Sequence, residues 1–145
     1  MEYKHVLIGT DGGELMAPVY EHGAYLARFT GATVHVVCVL DATGSVHQID
    51  SWEYMHDVLL GEGKEAVANG KTQLAAHGIQ GERVVATVLE GRPAEELAKY
   101  AEDHDINLII IGSHGSRGLN RPLIGSVADK IIRVANVPVL VIRSQ

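Results

Sequence analysis

The stretch Leu108-Ile109-Ile110-Ile111-Gly112-Ser113-His114-Gly115-Ser116-Arg117-Gly118-Leu119-Asn120-Arg121-Pro122-Leu123-Ile124-Gly125-Ser126-Val127 decides how this chain is read. It opens as an apolar strand that breaks at glycine, continues as a glycine-bearing loop, and passes into a helical pattern running to about Ala135. Gly112 and Gly115 free the backbone to curl and turn its N–H groups toward an anion. At Gly125-Ser126 the unpaired N–H groups of a first helical turn, with the positive end of the helix dipole, form a second anion-binding element. The Ser126 hydroxyl can cap that helix or donate to a phosphate oxygen. Arg117 and Arg121 suit a phosphate or open solvent equally well, and His114 can contribute through its ring or its backbone. The pattern Gly-x-x-x-x-Gly-Lys-Ser/Thr is absent, which excludes a standard P-loop.

Outward from this stretch the chain alternates between strand and helix patterns. Val6-Leu7-Ile8-Gly9 is a short apolar run stopped by the turn signal Thr10-Asp11-Gly12-Gly13. Pro18 falls in a first helical turn, and Val19, Tyr20, Gly23, Ala24 and Ala27 recur at helical spacing until Gly31. Thr33 to Leu40 is rich in β-branched residues and reads as the second strand. Residues 41–50 read as a polar loop. A long helix is expected from about Trp52 to His77, beginning late or irregular near Gly61, because Gly61, Gly63 and Gly70 each weaken it by about 1 kcal/mol. Gly78 is placed to cap its end. Arg83 to Leu89 reads as the third strand. Pro93 then starts a helix with Ala94, Leu97, Ala98 and Ala101 on its apolar face. Asn107 to Ile111 is the fourth strand. Val137 to Ile142 is the fifth, with Pro138 at its start because proline cannot donate to a ladder. The first four runs are near-continuously apolar, the pattern that burial on both faces of a parallel sheet produces. Five such strands alternating with helices predict one α/β domain over residues 1–145, a three-layer sandwich with right-handed crossovers.

The bulk properties agree with that reading. The chain has 145 residues, 46% of them apolar and 21% charged, an ordinary globular mixture long enough to bury a substantial core. Its net charge of -6 lacks the basic footprint that nucleic acid or an anionic membrane requires, so neither is expected as a partner. Cys38 stands alone, which rules out an intramolecular disulfide and reads as inert core packing within a strand. No charged leader precedes the first strand, and no apolar run approaches the roughly 18 residues that cross a bilayer, so a cytoplasmic protein is expected. The remaining histidines show no paired metal-ligand spacing on one helix face. Trp52, Tyr54 and Met55 cluster ahead of the long helix and are expected to pack in the core.

Ligands of open parallel sheets bind outside the carboxyl ends of the strands, where the strand order reverses. The turn after the first strand, the end of the second and the loop after the fourth converge there. In residue terms alone, Asp11 fits a ligand contact and an Asx turn about equally. The spacing Gly112-x2-Gly115-x9-Gly125-Ser126, between a strand and a helix, resembles the ATP-binding motif of universal stress proteins. The similarity extends over the whole chain, from the opening strand with Asp11 to Val137-Pro138-Val139-Leu140-Val141. It implies a five-stranded sheet of order 3-2-1-4-5 in an adenine nucleotide alpha hydrolase-like, Rossmann-like fold. It also implies roles by position. Asp11, with Thr10 beside it, would bond the nucleoside, and Val39 would meet adenine through its backbone and apolar contact. Gly112, Gly115, Gly125 and Ser126 would surround ribose and phosphates, with Ser113, His114 and Val127 contributing and Arg117 nearby. The ligand would be ATP, ADP or AMP, with Mg2+ or Mn2+ held through the phosphates. The family commonly carries Ser where this chain has Gly13, a departure that removes one hydroxyl from the first turn.

Phosphoryl transfer needs a metal, an oriented nucleophile and charge stabilisation, and no residue for orienting water is identifiable here. A binding protein whose occupancy is sensed is therefore expected, with slow hydrolysis at most. Three readings stay open: an ATP-responsive regulatory dimer, a weak nucleotide hydrolase, and a protein-interaction module with a vestigial loop. The apolar closing strand Val139–Ile142 would invite pairing if left bare at a sheet edge. The family resemblance implies a homodimer through it, and an unidentified protein partner would read the nucleotide state.

Overall fold

Strand-forming runs build the sheet, and glycines and prolines set where each run stops. The computed structural model describes residues 1–41, 49–113 and 125–143, with side chains from Glu53 onward in the second segment. Strands β1 (His5–Gly9), β2 (Thr33–Leu40), β3 (Val84–Glu90), β4 (Leu108–Gly112) and β5 (Val139–Ile142) pair in parallel, in the order β3-β2-β1-β4-β5. Helices α1 (Ala17–Thr30), α2 (Ile49–Ala76), α3 (Pro93–Asp103) and α4 (Ser126–Val134) connect them.

Alternate strand residues point to opposite faces, so each strand feeds two cores. Val6, Ile8, Val34, Val36 and Ile110 pack with Val19, Tyr20 and Ala24 of α1 and Leu74 of α2. Leu7, Val37, Ile109 and Ile111 pack with Leu97 and Ala101 of α3 and Ile131 of α4. The result is the expected helix–sheet–helix sandwich. The boundaries have local causes. Gly31 ends α1 in the left-handed conformation at φ 74°, its N–H donating to Ala27 O at 2.9 Å. Pro93 opens α3 where an N–H would have no partner, and Glu95 and Glu96 follow in its first turn. Arg83 donates to the carbonyls of Ala27 (2.6 Å) and Ala32 (3.1 Å), tying the entry of β3 to the turn between α1 and β2.

Several expectations need correction. Helix α2 begins at Ile49 and runs unbroken through Gly61, neither late nor irregular. β4 begins at Leu108 and not at Asn107. Asn107 instead turns its side chain back, and its Oδ1 accepts the N–H groups of Lys4 (2.7 Å) and His5 (2.9 Å). β5 begins at Val139, after Pro138, whose carbonyl accepts the Ile109 N–H at 3.0 Å. Burial on both faces holds for β1, β2 and β4 but not for β3, an outer strand whose Val85 is 38% exposed. Tyr54 is exposed on α2 and takes no part in the core. Cys38 is buried as expected, and burial, aided by the charge of Asp11, raises its thiol pKa. No helix among the described residues is long and apolar enough to cross a membrane.

Candidate functional site

Strand order reverses between β1 and β4, since the chain adds β2 and β3 on one side of β1 and β4 and β5 on the other. The carboxyl ends of these two strands therefore border a crevice. Carrying the strand registers on by a few residues sets Thr10 level with Gly112, and Asp11 level with Val39 of β2. Four of the residues singled out in the sequence thus arrive at one edge from three neighbouring strands.

The turn after β1 is held from several sides. Thr10 N–H donates to Val37 O at 2.9 Å, extending the β1–β2 pairing by one bond. Thr10 Oγ1 accepts the Gly12 N–H at 3.0 Å and the Tyr20 hydroxyl at 2.8 Å. Asp11 Oδ1 accepts the Gly13 N–H at 2.8 Å, so this aspartate does form the Asx turn its sequence context allowed. Gly12 is the residue this turn demands. Its φ is +77°, and a Cβ there would lie 2.8 Å from Ala66 Cβ of α2. Gly13 precedes a single 3-10 turn (Glu14–Met16) and supplies no side-chain cap, which is the structural consequence of lacking a serine there.

The β4 side is built from backbone. Ser113, itself buried, donates its N–H to Ile142 O of β5 at 2.8 Å and accepts the Gly125 N–H on its carbonyl at 2.6 Å. The start of α4 is thereby anchored at the end of β4. Gly125, not Ser126, is the N-cap residue; its carbonyl accepts the Asp129 N–H, and no side chain among the described residues caps the helix. Ser126 occupies the first helical position and is exposed, as is Val127. With no side-chain cap among the described residues, the first turn offers the N–H donors and positive dipole end that favour an anion. His114, Gly115, Arg117 and Arg121 lie outside the described residues.

Two features escaped the sequence reading. Tyr20 was assigned to the helix core, and its hydroxyl in fact reaches the site turn. The available signal was a tyrosine on a face otherwise made of Gly23, Ala24 and Ala27, since a buried tyrosine needs a partner for its O–H. The second feature lies at the opposite end of the sheet. His35 of β2 is buried between His5 (Nδ1 to Nε2, 3.1 Å) and Tyr100 (Nδ1 to Oη, 2.8 Å). Its residues come from β1, β2 and α3, so no local pattern announced it. Near the carboxyl edge, His56 of α2 contacts Glu90 at the end of β3. Among the described residues no group of three His, Cys, Asp or Glu side chains is placed to hold a metal ion.

Comparison with known proteins agrees with this architecture. The sequence profile of the universal stress protein family matches residues 2–143. The universal stress protein MJ0531 of Methanocaldococcus jannaschii is 34% identical over 143 residues, covering 97% of this chain and 82% of that protein. The solved structure of MJ0577, a universal stress protein of the same organism, superposes with a TM-score of 0.86 at 29% identity, covering 100% of this chain and 99% of that one. A universal stress protein of Archaeoglobus fulgidus, solved in complex with dAMP, superposes with a TM-score of 0.73 at 24% identity, covering 97% and 98%. The order β3-β2-β1-β4-β5, the site turn after β1 and the match along nearly the whole length lead to one conclusion: the chain belongs to the universal stress protein family.

Proposed function

We propose that the chain binds an adenine nucleotide (ATP, or ADP or AMP) at the carboxyl edge between β1 and β4, and acts as a nucleotide-responsive regulatory homodimer in the cytoplasm. The observation that carries this reading is the convergence of three elements at one sheet edge: the Thr10-Asp11 turn, Gly112-Ser113, and the α4 start at Gly125. In this reading Thr10 and Asp11 meet the nucleoside, and Val39 meets adenine. Gly112, Ser113, Gly125, Ser126 and Val127, with His114, Gly115 and Arg117, surround ribose and phosphates. The first-turn N–H groups of α4 suit phosphate oxygens, and the glycine spacing lets backbone approach them closely. A relative solved with dAMP supports adenine as the base. Mg2+ or Mn2+, where used, is carried by the phosphates. Occupancy alters the surface around residues 112–125, which an unidentified protein partner reads.

The dimer reading rests on β5. It is the outer strand beside β4, and its Val139, Leu140 and Val141 are only partly buried. An apolar outer strand of this kind is ready to pair with a second copy about a two-fold axis.

The test is the nucleotide content of freshly purified protein, released by denaturation and resolved by ion exchange, beside a Gly115→Val, Gly125→Val double variant. Adenine nucleotide in the native protein and none in the folded variant is the expected result, and its ATP:ADP ratio reports on hydrolysis. A native protein that is empty and takes up no added ATP with magnesium overturns the reading. Sizing of the same sample is expected at twice the mass of one chain.

A further inference from the structure

The Tyr20 hydroxyl has one hydrogen-bond partner among the described residues, Thr10 Oγ1 at 2.8 Å. Tyr20 is fully buried on α1, and α2 closes over it so tightly that a Cβ on Gly70 would lie 3.0 Å from its hydroxyl oxygen. Either direction of this bond leaves one hydroxyl hydrogen without an acceptor among the described residues. Tyr20 is 0% exposed and Thr10 8%, so the tyrosine donates, Thr10 accepts, and the open hydrogen falls on the less enclosed hydroxyl. Thr10 Oγ1 also accepts the Gly12 N–H at 3.0 Å. A hydroxyl oxygen has two lone pairs and one hydrogen. With both lone pairs taken, the Thr10 hydroxyl retains only its hydrogen, and that hydrogen has no acceptor among the described residues. Thr10 is 8% exposed, and buried hydroxyl donors without partners are rare and costly.

Thr10 stands where the ladder ends. Its N–H is used by Val37 O, and its register position is level with Gly112, at the sheet edge where the nucleotide reading places the ligand. We propose that Tyr20 fixes Thr10 as a hydrogen-bond donor to an acceptor atom on the nucleoside half of the ligand, making Tyr20 a positioning residue that never touches the ligand itself. This rests on the nucleotide reading above. Burial chiefly, with the nearby charge of Asp11 adding to it, pushes the Tyr20 pKa up to about 12. The phenol thus stays protonated, and the arrangement holds across the neutral range. Without Tyr20, Thr10 could turn its hydrogen inward and present a lone pair to the same ligand atom.

The experiment is calorimetric titration of ATP and of adenosine into wild type, Tyr20→Phe, Thr10→Val, Thr10→Ser and the Tyr20→Phe, Thr10→Val double variant. Urea unfolding confirms that each is folded. Thr10→Val is expected to weaken both ligands by about tenfold, the size of one lost hydrogen bond, with Thr10→Ser close to wild type. Tyr20→Phe is expected to weaken both several-fold in the wild-type background and to have no further effect in Thr10→Val. That coupling separates positioning through Thr10 from a general structural role. Tyr20→Phe binding as wild type, or losing the same factor in both backgrounds, overturns the inference while leaving nucleotide binding intact. A loss for ATP without a loss for adenosine overturns the assignment to the nucleoside half. A wild type that binds neither ligand overturns the nucleotide reading, and this inference with it.

Discussion

Lowering the pH from 7 to 4.5 places a proton on His35 in the unfolded chain but not in the folded one. His35 is 5% exposed, and both ring nitrogens are engaged, by His5 at 3.1 Å and by the Tyr100 hydroxyl at 2.8 Å. Only one proton fits between two imidazole nitrogens, so His5 and His35 cannot both be cations and keep their bond. The neighbouring charges come from β1 and from the end of α3. His5 and His104 are each cationic when protonated, and the residue paired with His35 on β3, Val85, carries no charge. Lys4, Glu2, Asp103 and Asp105 lie nearby in sequence and are exposed. Burial first, then His5 and His104, lower the His35 pKa from 6.5 to about 4. Between those values the unfolded chain binds more protons than the folded one. The stability is therefore whole above pH 6.5, declines as pH falls through that window, and levels off below about 4. At about 1.4 kcal/mol per unit the full effect is about 3 kcal/mol, most of it lost by pH 4.5. Urea unfolding at pH 7 and 4.5 measures it, with His35→Gln as the reference that cannot titrate but keeps a polar side chain. The loss between the two pH values should be about 2–3 kcal/mol smaller in His35→Gln than in wild type. Ring resonances should show His35 titrating near 4. Equal losses in both proteins, or a His35 ring titrating near 6.5 in the folded state, would refute the reasoning.

Substitutions at two further positions probe the frame of the site and its opposite end. Gly12→Ala combines a positive φ of 77° with a methyl 2.8 Å from Ala66 Cβ, an atom with no rotamer to escape into. Destabilisation of about 2–3 kcal/mol is expected by urea unfolding, with weaker ATP binding in what remains folded. Asn107→Ala removes the acceptor shared by the Lys4 and His5 N–H groups, and should lower stability by about 1–2 kcal/mol. Asn107→Asp keeps an acceptor there and should retain most of it, and the same denaturation curves report both.

Much of the architecture was legible because its causes are local. The apolar runs of β1, β2 and β4, the stop at Gly31 and the start at Pro93 follow from side-chain and backbone preferences that act within a few residues. The strand and the helix on either side of residues 113–125 were legible for the same reason. Helix α2 was misjudged at its glycines because two of them, Gly63 and Gly70, have a tertiary reason, while a Cβ on Gly61 would meet nothing within 4 Å. A Cβ on Gly63 would meet Leu40 Cδ2 at 2.9 Å, and one on Gly70 would meet Val36 Cγ1 at 2.8 Å, so close packing on the sheet outweighs their helix propensity. β3 read as buried on both faces because its residues are apolar. Its exposure depends on position in the sheet, which the crossovers decide.

The site divides along the same line. Which residues to expect at the site was readable from the chain, because turn aspartate, glycines and helix start each announce themselves in short motifs. The tertiary structure alone decided that Asp11 closes an Asx turn and that Gly125 rather than Ser126 precedes the first helical turn. It alone brought Tyr20 to Thr10 and His5, His35 and Tyr100 together. Those contacts join residues from separate elements, up to 65 apart in the chain, and hydrogen-bond partnership at such separations is set by how helices pack on the sheet.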